Sequence, residues 1–513
     1  MLAATAFAWP AAAQTLSVGV SAPVTSVDPH YHTLTPNEQL DSHIYERLVE
    51  TDPKARPVPG LAESWKLIDD HTWEFKLRDT KFHDGSPFTA EDVAYTIARV
   101  PTVVNSPGSF SVYTKSIVAA EIVDAHTIRL RTAGVYPLLP IDLSQVFIIS
   151  HKLGPNPATE EFNTGKNAIG TGPYRFVSYQ SGDRVELERN EAYWGRKPAW
   201  QHINWRMIPN DGARTAALLS GDVGLIDQVP TADLARLRTD AKVKLWETVS
   251  LRLIFLTLDQ SRDGPTPYVT GPHGEVLAKN PLKDRRVREA LSIAINRPAI
   301  VDRVMENAAI ASGQFLPPGS YSYVPDLNPP KYDPVRAKAL LTEAGYPDGL
   351  TITLHSSNDR YLNDAKIVQT VGQMWSRIGI KASVEATPWT TFVGHANKQD
   401  YSIYELGWGI STGEASNPLR SLVSTFDAAK GRGAVNRGRY SNPKLDGMID
   451  QALTIADDSQ REQALIAAQR VVFDDVALIP LHIQKNNWAS RSGVIYVPRA
   501  DEETHAFDLR PAN

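Results

Sequence analysis

Apolar and polar residues alternate with a period of two at 16–20, 72–77 and 127–131, the pattern of half-buried strands. Between the last two, Thr89-Ala90-Glu91-Asp92 has the form of a capping box. Val93, Ala94, Ile97 and Ala98 follow it on one helical face. Residues 40–50 also carry apolar side chains at helical spacing and predict a helix. Gly170–Tyr174 reads as a tight turn into a strand at 174–179. Ser181-Gly182-Asp183 then links that strand to another at 184–189, which predicts a hairpin. Residues 211–220 read as a helix closed by Gly221. Val287, Ala290, Leu291, Ala294 and Ile295 fall on one helical stripe, and 337–344 is a helix stopped by Gly345 with Pro347 beyond. A strand at 351–355, a helix at 364–377 and a strand at 381–386 make one βαβ unit. The tail closes with a helix at 460–472 and a strand-like run at 477–482. The chain reads as mixed α/β, β-rich in its N-terminal third. No Pro/Gly linker divides it, which fits lobes that the backbone enters more than once.

Composition narrows the function classes. A length of 513 residues implies about three domains or one interleaved unit. The formal charge of −5 argues against nucleic acid as a partner. There is no cysteine, which removes disulfides, thiolate nucleophiles, Cys–zinc sites and a lipid-modified N-terminal cysteine together. Residues 2–13 (LAATAFAWPAAA) form a short apolar run ending in small residues before Gln14. This is the pattern of a signal-peptide h-region and cleavage site, although the basic n-region is missing. The run is too short to span a bilayer, and no later run reaches about 18 apolar residues. The expectation is an exported, soluble, periplasmic protein that is not a lipoprotein.

Enzyme signatures are lacking. There is no His-Glu-x-x-His, Gly-x-Ser-x-Gly, P-loop or Gly-x-Gly-x-x-Gly motif, and neither Gly407-Trp408-Gly409 nor Gly431-Arg432-Gly433 has phosphate-cradle context. His30-Tyr31-His32 offers half a metal site or a polar loop. Asp69-Asp70 and Asp474-Asp475 read as solvated acids or turn caps. Trp389 and Trp408 read equally as core or as pocket lining. The second lies in Gly407–Glu414, where an aromatic ring adjoins flexible backbone and small hydroxyls. Lys430, Arg432, Arg437 and Arg439 form a basic run, normally a solvated loop, that can also offer guanidinium forks to an acid. Arg360 and Arg420 are similar candidates.

Several longer stretches carry a family resemblance. They are Leu61-Ala62-Glu63-Ser64-Trp65, Thr72–Arg78, Lys81–Val93, Gly170–Tyr174, Leu187–Asn190, Tyr193-Trp194-Gly195, Asp284–Leu291, Leu340–Pro347, Tyr440–Asp446 and Ile479–His482. Through them the chain resembles the extracytoplasmic solute-binding proteins of ABC importers, in the large oligopeptide/dipeptide/nickel-binding class. The resemblance implies a type II periplasmic binding fold, two α/β lobes hinged around a ligand, with an extra β-rich domain. By similarity, 15–48, 168–258 and 480–513 form lobe I, 49–167 the extra domain and 259–479 lobe III, after a signal-peptide remnant at 1–14. It also implies a monomer without cofactor or metal, working with the transmembrane subunits of a permease. His83 and Asp84 are then structural.

The resemblance also suggests ligand residues. Where peptide-binding members place an Asp, three positions after the tryptophan, this chain has Ser411, and only Glu414 is acidic across 407–416. That departs from the pattern for ordinary free-amine peptides. Arg360, in Asn358-Asp359-Arg360-Tyr361, lies where a dipeptide-binding relative holds the ligand carboxylate, and Trp389 where it packs the ligand. Asn358–Tyr361 with Ser411–Glu414 looks most like a glutathione-type and opine-like branch. In this reading Trp389 and Trp408 pack the solute, Ser411, Thr412 and Asn37 hydrogen-bond it, and Arg360 pairs with a carboxylate. Arg420 and Arg437 suit further carboxylates, and the segment carrying His32, Thr33 and Asn37 approaches from lobe I. The alternatives are a metal-chelate or haem carrier using His30 and His32, and a secreted hydrolase, which the missing motifs argue against.

Overall fold

The computed structural model describes residues 15–428 and 431–512; the expected signal segment and Lys430 lie outside the described residues. Twelve strands form one mixed sheet. Thr15–Val20 runs parallel to His202–Met207 and Leu225–Asp227, and the hairpin Tyr174–Gln180 and Arg184–Arg189 extends that edge. On the other side Thr351–Ser357 runs parallel to Lys381–Thr387, with Asp364–Ser376 as the crossover helix, so the βαβ unit is present. Two long antiparallel strands, Val243–Leu258 and Ile479–Arg491, join the halves. A separate four-stranded antiparallel sheet contains Ala62–Asp69, Thr72–Leu77, Thr127–Thr132 and Ile117–Asp124.

The two long strands set the geometry of everything between the halves. Val249 pairs with Lys485, but the next pair is Leu253 with Ile483, so Ser250, Leu251 and Arg252 bulge opposite Gln484. A bulge bends a strand and re-aims its side chains. Here it stands where the sheet passes from one apolar core to another. Leu16, Val18, Ile44, Trp205 and Trp488 pack in one core. Ile254, Leu256, Ile352, Leu354 and Trp375 pack in a second. Phe75, Phe88, Ile128 and Leu130 pack in a third, under the four-stranded sheet.

Local signals mostly kept their meaning. Thr89 and Asp92 close a capping box on helix Ala90–Arg99, and Gly221 ends helix Asp211–Ser220 at φ 91°. The helix expected over 40–50 runs instead from Thr35 to Ile44, and Val49–Thr51 is a strand. Pro36 occupies the first turn, where its fixed φ suits helix initiation, and the chain turns extended at Tyr45. Leu48 is still fully buried, so its helical spacing reflected burial rather than helix. The strand-like run at 477–482 belongs to Ile479–Arg491, and Gly407–Gly409 ends the strand Ile403–Gly409 rather than lying in flexible backbone.

Candidate functional site

A cavity of about 320 Å³ opens between the halves of the sheet, with the four-stranded domain contributing Tyr113, Ser144 and Gln145 to its wall. Its size falls in the range of small-molecule sites. One wall comes from the start of helix Thr35–Ile44, the bulge and the segment Ala500–Glu503. The rest of the lining comes from residues 360–361, Trp389 and the end of strand Ile403–Gly409, which pairs with the bulge through Arg252 and Gly409.

The first wall is acidic by sequence but mostly neutralised by structure. Asp501 is clamped by Arg499, Glu503 by Arg47 at 3.2 Å, and Glu502 by Arg252 through two bonds of 2.7 and 2.6 Å. Glu38 is the exception: it lines the cavity and has no ion-pair or hydrogen-bond partner for its carboxylate among the described residues. Burial, with added repulsion from Glu503, raises its pKa to about 7 despite the opposing charge of Arg47.

The other lining residues hold the complementary charge. Arg360 lines the cavity and forms no side-chain hydrogen bond or ion pair among the described residues. Its guanidinium lies 5.4 Å from the Tyr361 ring centre and 5.7 Å from that of Trp389, within cation–π range. Burial, then repulsion from Arg252, lowers its pKa. Arg437 also lines the cavity. It has a hydrogen bond to Asn397 at 2.7 Å but no carboxylate partner among the described residues, and burial lowers its pKa as well. Trp389 packs edge-on to Tyr361 at 6.0 Å, and the Trp408 indole donates to Asn417 at 2.8 Å, which fixes its face toward the cavity. Tyr361 packs so closely on Gly407 that a Cβ there would lie 2.5 Å from its ring, and its hydroxyl donates to the Gly407 carbonyl at 3.1 Å. Among the described residues, two guanidiniums without a carboxylate partner and one carboxylate without a cation line the same aromatic-walled space. That arrangement offers both signs of charge to a solute.

Residues 56–430 match the family description "Bacterial extracellular solute-binding proteins, family 5 Middle". The chain belongs to that family. Among similar proteins, the glutathione-binding protein GsiB of Escherichia coli O157:H7 is 28% identical over 492 residues, covering 92% of this chain and 90% of that protein. GsiB of Shigella boydii serotype 4 gives the same figures. Solved structures share the two-lobed fold. DppA from Helicobacter pylori in complex with the peptide STSA has a TM-score of 0.80 at 22% identity, covering 97% of this chain and 98% of that one. NikZ from Campylobacter jejuni in complex with Ni(L-His) has a TM-score of 0.80 at 20% identity, covering 96% and 99%. Members of family 5 are binding proteins that work outside the cytoplasm, and no helix among the described residues of this one is long and apolar enough to cross a membrane.

Seven residues singled out from the sequence of this family-5 protein line the cavity: Thr33, Arg360, Tyr361, Trp389, Trp408, Ser411 and Arg437. Five do not. Asn37 is buried and spends its amide on Thr25 and the Ser26 carbonyl. His32 faces Thr25 at 3.5 Å. Asn358 is exposed, its backbone N–H donating to Thr387. Thr412 is buried beside a different hollow, near Glu414 and Arg461. Arg420 donates to Tyr136 at 3.0 Å, and Tyr136 in turn to Asp142 at 2.5 Å, tying the four-stranded domain to the rest. Within the basic run, Arg432 pairs with Asp450 at 2.7 Å and Arg439 lies over Phe426. His30 is buried, bonded to the Phe147 carbonyl at 2.7 Å and to Arg99 at 2.9 Å. No group of three or more His, Asp or Glu among the described residues is arranged to hold a metal. Of the paired acids, Asp69 caps a turn at His71 and Asp475 pairs with Arg288 at 3.0 Å.

Sequence reasoning missed Glu38, Arg252 and the acids 501–503. The run Asp501-Glu502-Glu503 was a visible signal, but a charge run usually marks a solvated face. Nothing local to Arg252 distinguishes it, because the bulge that aims it is set by pairing with a strand some 230 positions away.

Proposed function

We propose that this protein captures a small peptide-like solute bearing an amine and more than one carboxylate, holds it between the two halves of the sheet, and delivers it to the permease of an ABC importer. The observation that carries this is the pairing pattern of the cavity. Among the described residues, Arg360 and Arg437 line it without carboxylate partners and Glu38 lines it without a cation. The protein leaves these charges for a ligand to satisfy, since an unpaired charge away from water costs stability. Trp389 and Trp408 supply flat apolar area, and Ser411 a hydroxyl. The similarity to GsiB over most of the chain supports a γ-linked peptide such as glutathione, and the fold of the DppA–peptide complex supports peptide-like solutes in general.

The lobes of this reading are 15–48, 168–258 and 480–513 for lobe I and 259–479 for lobe III, with 49–167 as the added domain, acting in the periplasm as a monomer. Closure would be a hinge motion about the two long strands. Native mass spectrometry of the purified protein, with denaturing release of anything bound, tests the proposal, and calorimetric titration with glutathione, dipeptides and opines completes it. A retained or titrated species with an amine and carboxylates supports the reading. Failure of every such compound to bind overturns it.

A further inference from the structure

Next to the main cavity lies a smaller space of about 50 Å³, lined by residues of both long strands. Arg252, Arg360, Tyr361 and Glu502 line both, so the two spaces adjoin at these residues. The far side of the small space is made by Asp227 and by Gln484–Trp488 of strand Ile479–Arg491, opposite the bulge.

Its polar groups are unusually short of partners. Asn487 is 3% exposed, and neither its Oδ1 nor its Nδ2 has a hydrogen-bond partner. Gln484 is 7% exposed with an unpartnered Oε1. Buried polar atoms in folded proteins are nearly always bonded, so a cluster of exceptions demands an explanation. The charges are lopsided as well. Glu502 is consumed by Arg252. Among the described residues Arg360 and Lys485 have no ion-pair partner, against the single carboxylate of Asp227, which accepts the Ser21 amide at 2.7 Å, so positive charge is in excess.

We infer that this space is an annex of the binding site that takes the carboxylate end of the solute. The carboxylate would accept hydrogen bonds from Asn487 Nδ2 and the Arg360 fork. An amide N–H next to it would donate to Gln484 Oε1. The space is small, about 50 Å³, so the annex favours a small, glycine-like terminal residue. The inference rests on the peptide-like reading above and specifies which end of the solute enters furthest.

The test is calorimetric titration of the full chain with glutathione and with its two monoethyl esters, in the wild type, Asn487→Asp and Gln484→Glu. Thermal melts verify that each variant folds, and the two variants guard against one failing. Wild type should prefer the free acid over the glycyl ester by tenfold or more. An added carboxylate at 487 or 484 should weaken the free acid at least tenfold while changing the glycyl ester less than threefold. Equal binding of acid and glycyl ester by wild type, or the same loss for both ligands in the variants, overturns the annex and leaves the peptide-like reading standing. Binding of neither glutathione nor any dipeptide or opine by wild type overturns both.

Discussion

Arg252 and Glu502, 250 positions apart in the chain, meet in a two-pronged ion pair at 2.7 and 2.6 Å on the wall of the cavity. Both are largely shielded, with side chains 11% and 19% exposed. The pair pins the C-terminal segment to the bulge in the long strand, beside the backbone bond from Leu251 to Ala500. Removing one member leaves the other charge unpaired, so Glu502→Gln should lower stability by about 2 kcal/mol. Chemical denaturation checks this. An unchanged midpoint would mean that the pair contributes nothing to the structure.

Arg360 predicts the opposite sign. It carries a shielded charge with no partner among the described residues, so Arg360→Gln should leave stability unchanged or raise it by about 1 kcal/mol. Affinity for a carboxylated solute should fall by tenfold or more, about 1.4 kcal/mol per decade. A variant that loses stability but keeps affinity would place Arg360 among structural residues.

Trp408 is fixed by its bond to Asn417 and presents its ring to the cavity. Trp408→Ala should weaken solute binding by roughly tenfold, with a cooperative melt retained. Calorimetry and circular dichroism separate the two effects, and unaltered affinity would remove Trp408 from the site.

Glu38 links binding to pH. Burial raises its pKa to about 7, so below that value a proton competes with the ammonium of the solute. Binding of an amine-bearing solute should weaken as pH falls from 8 to 6 and should release protons into the buffer. Glu38→Gln should weaken binding at pH 8 and flatten the profile. A wild-type profile independent of pH over this range would show that Glu38 does not meet the ammonium.

Glu414 makes stability depend on pH away from the cavity. It is 3% exposed, and burial raises its pKa from 4.5 to about 8 against the attraction of Arg461. The folded state thus keeps a proton that the unfolded chain releases near pH 4.5, and stability falls as pH rises from about 4.5 to 8. Glu414→Gln removes that slope and should be more stable than wild type at pH 8, by on the order of 3 kcal/mol. Both proteins should be equally stable near pH 4.5. Parallel denaturation curves at the two pH values test the sign.

What the sequence determined by itself is local. Period-two alternation, the Thr89–Asp92 box, the Gly221 stop and the βαβ spacing all rest on forces between residues a few positions apart, and each produced the element expected of it. Of the seven candidate residues that reached the cavity, Arg360, Tyr361, Trp389, Trp408 and Ser411 sit at strand ends or just beyond them, where topology exposes chemistry-bearing side chains. What only the tertiary structure decided is pairing. Whether an arginine is free or neutralised depends on which distant acid lies beside it: Arg360 is left open, while Arg252 is closed by Glu502 and Arg420 is spent on Tyr136. The helix at 40–50 shifted for the same reason, since Leu48 found its burial in the core under the four-stranded sheet rather than along a helix face. Burial and charge compensation are properties of three-dimensional neighbourhoods, and those neighbourhoods formed only when the two long strands brought residues 252, 484 and 502 together.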